Sequence, residues 1–286
     1  MKHFPRYFLL LLCFSWAWQA FGQKADEKEE MYLSYKSTLL GVGTYSARDT
    51  YLSPQEYSGR GLKLLSDNMR MRPWMEGRIS TQRLIHVDVS SYTNQVESAS
   101  AYGALFDYGY AAHYHLTPVL PGLRLMAGPQ FNMNTGALYN TRNGNNPVSA
   151  KLGLNLGLSA LADYRFHILR QPVSVRYQAD MPMLGYLFSP HFGQSYYEIS
   201  LGNSDGLLHF ATFGRQFSLK NYLTLELPFK PLTLRLTYLN TTFQSEINGL
   251  KTALSSNVLM LGLVKEVFSI PRGKQLKDVE YRRVFD

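Results

Sequence analysis

His86, Asp107 and His209 are the residue types that acid–base chemistry would use in this chain. A carboxylate beside an imidazole can orient it as a general base, and two imidazoles can share a metal. Pairing the segments 75–92 and 99–116 through the 93–98 connection sets His86 opposite Leu105 or Asp107. The same register brings Arg78 near His113 or His115, and the next hairpin sets His115 near Arg124. One sector then gathers His86, Asp88, Asp107, His113, His115 and Arg124. Asp163, Arg165 and Arg176 fall on a neighbouring pair of segments and suit ion pairing or the lining of a selective constriction. A plain network of paired charges accounts for all of these, because charges taken out of water need partners. No serine can be set convincingly beside the Asp/His pair, and neither HExxH, GxSxG nor a P-loop occurs. No catalytic residue, metal or cofactor is therefore assigned, and His86, Asp107 and His209 stay weak catalytic candidates.

The elements that must position these residues are strands. In 151–168, KLGLNLGLSALADYRFHI, Leu152, Leu154, Leu156, Leu158, Ala160, Ala162, Tyr164, Phe166 and Ile168 share one parity. Polar residues and glycine take the other, broken only by Leu161. Alternate side chains of a strand point to opposite faces, so the segment has one greasy face and one wet face. At roughly 3.3 Å per residue it is about 60 Å long, beyond the usual strand of a soluble sheet. A tilted membrane strand needs only about 9–11 residues to cross the hydrocarbon.

The same pattern recurs along the chain. Ile79, Ile85, Val87 and Val89 oppose Arg78, Gln82, His86 and Asp88; Tyr102, Phe106, Tyr108, Tyr110 and Tyr114 oppose Asp107, His113 and His115. Leu223, Leu225, Leu227 and Phe229 oppose Lys220, Thr224 and Glu226. Charge keeps to one parity because Arg or Lys on a lipid face costs about 2–4 kcal/mol at mid-depth. Arg83, Lys63 and the run Leu259 to Val264 break the rule. A soluble β-sandwich alternates too, but explains neither the strand length nor the confinement of charge.

Twelve strands are expected, near 31–48, 60–71, 75–92, 99–116, 122–134, 148–168, 172–184, 196–202, 207–214, 222–229, 232–246 and 251–268. The count falls to ten if the short strands within 185–222 are loop. Short proline-bearing connections (72–74, 117–121, 169–172, 230–231) alternate with longer polar ones (50–59, 135–147, 185–195), as tight periplasmic turns alternate with extracellular loops. The fold expected is an all-β, transmembrane, antiparallel up-and-down β-barrel.

The ends and the composition agree with export. Lys2 and Arg6, an apolar run from Tyr7 to Trp18 and the small-x-small site Ala20-Phe21-Gly22 read as a signal peptide over 1–22. A periplasmic segment 23–30, the barrel 31–268 and a periplasmic tail 269–286 follow. Cys13, the only cysteine of 286 residues, lies in the leader, which excludes disulfides and thiolate sites from the remainder. Twenty Tyr and sixteen Phe suit aromatic girdles at two bilayer interfaces. The net charge of +8 is scattered rather than clustered on a helix, so nucleic acid is not an expected partner. Outer-membrane lipids are, with a small solute or a surface partner.

The segments SPHFGQSYYEISLGN, HFATFG, FSLKNYLTLELPF and LTLRLTYLNTTFQSEINGLKTALSSNVLMLGLV resemble a family of exported proteins from Bacteroidota grouped as a domain of unknown function. The resemblance covers about 31–268 and is strongest from 187 onward. It implies an outer-membrane barrel and no assigned activity. The reading is a porin-like barrel of a Gram-negative outer membrane, a non-enzymatic narrow channel or a structural or surface-interaction protein. The alternative is a lipid-active, phospholipase-like barrel enzyme, which would need a Ser/His group on the lipid-facing rim.

Overall fold

Among the described residues, backbone pairing closes ten long strands into a ring. The computed structural model describes residues 31–32, 34–116, 118, 120–144, 146–168, 171–229, 232–267 and 281–282. The expected leader 1–22, the expected segment 23–30 and most of the expected tail 269–286 lie outside the described residues. Two-residue strands β1 (Met31–Tyr32) and β13 (Tyr281–Arg282) form a small sheet of their own.

The barrel strands are β2 (Ser34–Asp49), β3 (Ser53–Arg72), β4 (Ile79–Asn94), β5 (Ser100–His115), β6 (Leu123–Asn140), β7 (Val148–Ile168), β8 (Gln171–Phe188), β10 (Gln216–Phe229), β11 (Leu232–Ile247) and β12 (Leu250–Val267). Each is antiparallel to the next, β12 pairs back onto β2, and β10 pairs with β8. The expected all-β up-and-down barrel is the fold, with the smaller of the two strand counts.

The region 185–222 accounts for the difference. Residues 196–202 do not form a strand: Tyr196–Ser200 is a short helix, α1, started by a capping box between Ser195 and Glu198. That Ser-x-x-Glu spacing is a helix signal. Residues 207–214 reduce to β9 (Leu208–Thr212), which pairs with Leu184–Phe188 of β8. β10 pairs with the other half of β8, Ser174 to Asp180. β9 and β10 therefore run collinearly along one edge of β8, with residues 213–215 bulging between them. They complete the wall as one interrupted strand.

Strands also run further than the turn signals suggest. β3 begins at Ser53 and β6 continues to Asn140, so the connections expected at 50–59 and 135–147 shrink to 50–52 and 141–147. The contrast between short and long connections rests on 189–207 alone. Asn248 and Gly249 form a tight hairpin with φ of 54° and 72°, the left-handed pair that an Asn-Gly turn supplies.

Burial alternates as the parity requires. Leu40, Leu62, Val89, Leu156, Leu158, Leu223 and Leu261 lie on the exterior and are 51–61% exposed. Lys63 is no exception to the charge rule: it faces inward, 4% exposed, and pairs with Asp88 at 3.0 Å. Met260 and Val264 likewise point in, beside Leu39 and Tyr35, which explains the run that looked apolar on both faces. Leu161 also points in, against Met126 and Met69. Arg83 does face outward.

Candidate functional site

The half of the lumen nearest Ser34 and Val267, the terminal end, is filled by charge. Arg235 of β11 bonds Glu226 of β10 at 2.7 Å, Asp67 of β3 at 2.8 Å and Ser37 of β2 at 2.6 Å. Arg176 of β8 reaches Glu226 at 3.2 Å, Asp67 at 3.6 Å and Asp163 of β7 at 3.8 Å. The Tyr35 hydroxyl donates to Glu226, and both guanidinium groups lie over its ring, 5.2 and 5.6 Å from the centroid. Above this layer Gln82 bonds Asp67 and Gln178, and Gln178 bonds Asp180. β6 and β12 contribute Met126 and Val264 to the apolar cluster with Tyr35.

With His113 of β5, which meets Ser159 of β7 at 2.8 Å, all ten wall strands send side chains into this packed region. Its members are closed to solvent: Met69, Asp180 and Ser159 are 0% exposed, Asp163 and Gln82 1%, Arg235 2%. A ten-strand barrel has a lumen little wider than the eight-strand case that side chains just fill. Arg, Met, Tyr and Gln are long enough to fill it.

The opposite half, nearest the connection 189–207, keeps a cavity of about 140 Å³. An engineered cavity of ~150 Å³ holds one benzene-sized molecule. Its floor carries Lys63, His86, Asp88, Asp107 and Lys220, and its walls include Asn155, Gln216, Phe243, Ile247 and Leu254. Each floor lysine is neutralised, Lys63 by Asp88 and Lys220 by Asp107.

The structure distributes the sequence-predicted residues over both halves. His86 stands opposite Asp107, but Asp107 is engaged by Lys220 and by Asn132 at 3.0 Å, and His86 meets the Tyr222 hydroxyl at 3.2 Å. Asp88 bonds Tyr45 at 2.8 Å. His115 bonds Ser80 at 2.9 Å, and Arg124 stands opposite Asp163, which also holds Arg165 at 3.4 Å. His209 is remote from His86 and Asp107: it pairs with Leu187 and meets the Gly206 carbonyl. Arg78 is not in the lumen. The expected register holds in its backbone, since His115 N–H donates to the Arg78 carbonyl, but the residue precedes β4 in an exposed turn beside Tyr114.

A serine does sit beside a histidine. Ser159 Oγ lies 2.8 Å from His113 Nε2 and donates to Asp180 at 2.6 Å. The order is wrong for a nucleophile. A catalytic triad sets the imidazole between the carboxylate and the hydroxyl, whereas here the hydroxyl is in the middle. His113 and Ser159 are both 0% exposed, so no substrate reaches them. Inward parity of both residues was readable, but β6 separates their strands and the contact skips over it inside the lumen. Among the described residues, no group of three or more His, Cys, Asp or Glu is placed to hold a metal.

The connection 189–207 is tied to three other connections or strand ends around the mouth. The Tyr51 hydroxyl donates to the Gln194 carbonyl at 2.9 Å, Ala150 N–H donates to Tyr196 at 2.7 Å, and the Asn248 amide reaches the Ser189 carbonyl at 3.0 Å. Burial pushes the Tyr51 phenol up to about 12, aided by Tyr196, Asp49 and Glu198, so it remains a donor at neutral pH. Tyr51→Phe removes one hydrogen bond worth about 1 kcal/mol. Limited proteolysis should then cut within 189–207 several times faster, with the barrel intact; an unchanged rate would mean that Tyr51 does not anchor the segment.

Comparison with known proteins adds a family. The model of a family described as "Protein of unknown function (DUF3316)" matches residues 7–274, and the chain belongs to that family. No curated protein matches the sequence. Among solved structures, the chain is similar to the translocator domain of the autotransporter NalP from Neisseria meningitidis, with a TM-score of 0.41, 10% identity, and 90% of this chain and 95% of that chain covered. It is similar to the outer membrane protease OmpT from Escherichia coli, with a TM-score of 0.39, 9% identity, and 86% and 99% covered. An outer membrane channel from Pseudomonas putida F1 gives a TM-score of 0.35, 9% identity, and 86% and 100% covered.

Proposed function

We propose that this member of a family of unknown function is a sealed outer-membrane barrel acting at the cell surface, not a channel and not an enzyme. The apolar exterior supports the location: large exposed aliphatic residues circle the wall, while Asp67, Asp88, Asp163, Asp180 and Glu226 face in and the outward Glu56 and Glu246 lie at the loop end. Closed barrels are one of only two architectures that satisfy every backbone group in lipid. Export through the leader 1–22, with both ends of the barrel chain in the periplasm, puts the connection 189–207 and the cavity on the outside.

The observation that carries the reading is the layer around Arg176, Arg235, Asp67 and Glu226. Its groups are buried and mutually paired, which supports a solid septum across the lumen. The cavity above it is then a blind cup open to the surface, suited to a small ligand or the tip of a partner. The lipid-active alternative needs a Ser/His group facing outward on the rim. The Ser159–His113 pair faces inward instead.

The test is conductance. Refolded protein in planar bilayers should pass no steady current at either polarity, although flotation with vesicles shows insertion. Discrete, reproducible steps from the wild-type chain would refute the septum and restore the channel.

A further inference from the structure

Four cations share one patch of the outer wall. Lys265 of β12 stands opposite Lys36 of β2, Lys36 opposite Asn68 of β3, and Asn68 opposite Arg83 of β4. Arg70 lies two residues along β3 on the same face. At about 4.8 Å between strands, the row from Lys265 to Arg83 is about 14 Å wide. None of the four cations forms an ion pair among the described residues. Asp67 and Asp88 of the same strands point into the lumen, and Glu266 follows the inward parity of β12. Like charges directly opposite each other repel, and the described residues supply the row with no anion.

Its position says which anion. Toward the loop end, the outward residues of these strands turn apolar: Leu263 and Leu261, and Ile85 and Val87, follow at once, whereas Leu40 and Val42, and Leu64 and Leu62, follow after Thr38 and Ser66. On β2 and β3 the apolar band is only two outward residues deep, whereas on β7 it runs from Leu152 to Ile168. The band is thinnest beside the row, and its border at the terminal end is cationic.

We infer that Lys265, Lys36, Arg83 and Arg70 bind the phosphodiester headgroups of anionic phospholipid in the periplasmic leaflet, which rests on the orientation proposed above. Arginine presents a planar fork of donors that matches phosphate oxygens, and lysine adds compact charge. Basic residues at this depth attract anionic lipid strongly. The acyl chains of the same lipids lie along Leu263, Leu40, Leu64 and Ile85. The row also explains Arg83: it is an outward charge at the headgroup border, not in the hydrocarbon.

The barrel is reconstituted in phosphatidylcholine vesicles holding a minor share of phosphatidylglycerol and, separately, of lipid A, and the lipid retained after mild detergent extraction is counted. Wild type should retain phosphatidylglycerol several-fold above its input share. A Lys36→Gln/Arg83→Gln/Lys265→Gln variant should fall to the input share while floating with vesicles as wild type does. A Lys251→Gln control, at the loop end, should keep the enrichment. Insertion without phosphatidylglycerol enrichment overturns the inference and leaves the barrel reading standing. Enrichment of lipid A alone overturns it together with the orientation. Failure to insert overturns both.

Discussion

Arg235→Ala should lower the stability of the folded barrel by about 3–5 kcal/mol, the usual cost of removing one partner from a buried pair. Arg235 is 2% exposed and bonds Glu226 and Asp67 together, so alanine leaves two carboxylates facing each other out of water. Arg176 takes up part of the charge but cannot reach both as closely. Urea unfolding of the reconstituted barrel measures the loss. Arg235→Met combined with Glu226→Gln keeps the layer neutral and should cost clearly less than Arg235→Ala alone. Equal losses in the two variants would mean that the guanidinium's own hydrogen bonds to Ser37 and Asp67, not charge balance, hold the septum.

Leu158→Arg should cost about 2–4 kcal/mol in a bilayer and almost nothing at the end of the same strand, at Ile168→Arg, where the penalty falls to about 0–1 kcal/mol. Leu158 and Ile168 are similarly exposed, 52% and 51%, so a barrel bathed in water would treat the two substitutions alike. Only a hydrocarbon exterior makes the penalty depend on depth. Unfolding both variants from vesicles separates the cases, and two equal, small losses would remove the membrane from the account.

Most of the wall was legible because period-two alternation is a local property. The length of 151–168, the inward parity of His86, Asp107 and Arg176, and the outward Arg83 all followed from it. What local reading missed has a common physical origin. Leu161, Met260 and Val264 looked misplaced because a narrow lumen takes apolar side chains as well as polar ones. Lys63 looked misplaced because its partner Asp88 lies on the next strand. The helix Tyr196–Ser200 followed from its capping box rather than from the weak alternation around it. The collinear pair β9 and β10 followed from a bulge at 213–215. Nor could spacing reveal Ser159 against His113 or Arg235 against Asp67, since both contacts reach across to strands that are not neighbours.

Cysteine accessibility tests the divided lumen most directly. In a background with Cys13 replaced by serine, single variants Ser245→Cys, in the cavity, and Ser159→Cys, in the septum, are exposed to a water-soluble maleimide. The folded, membrane-inserted protein should react at position 245 from outside the cell and stay unreacted at position 159 from either side until it is unfolded. Rapid labelling of Ser159→Cys in the folded barrel would mean that water runs the length of the lumen, and the septum would have to be abandoned.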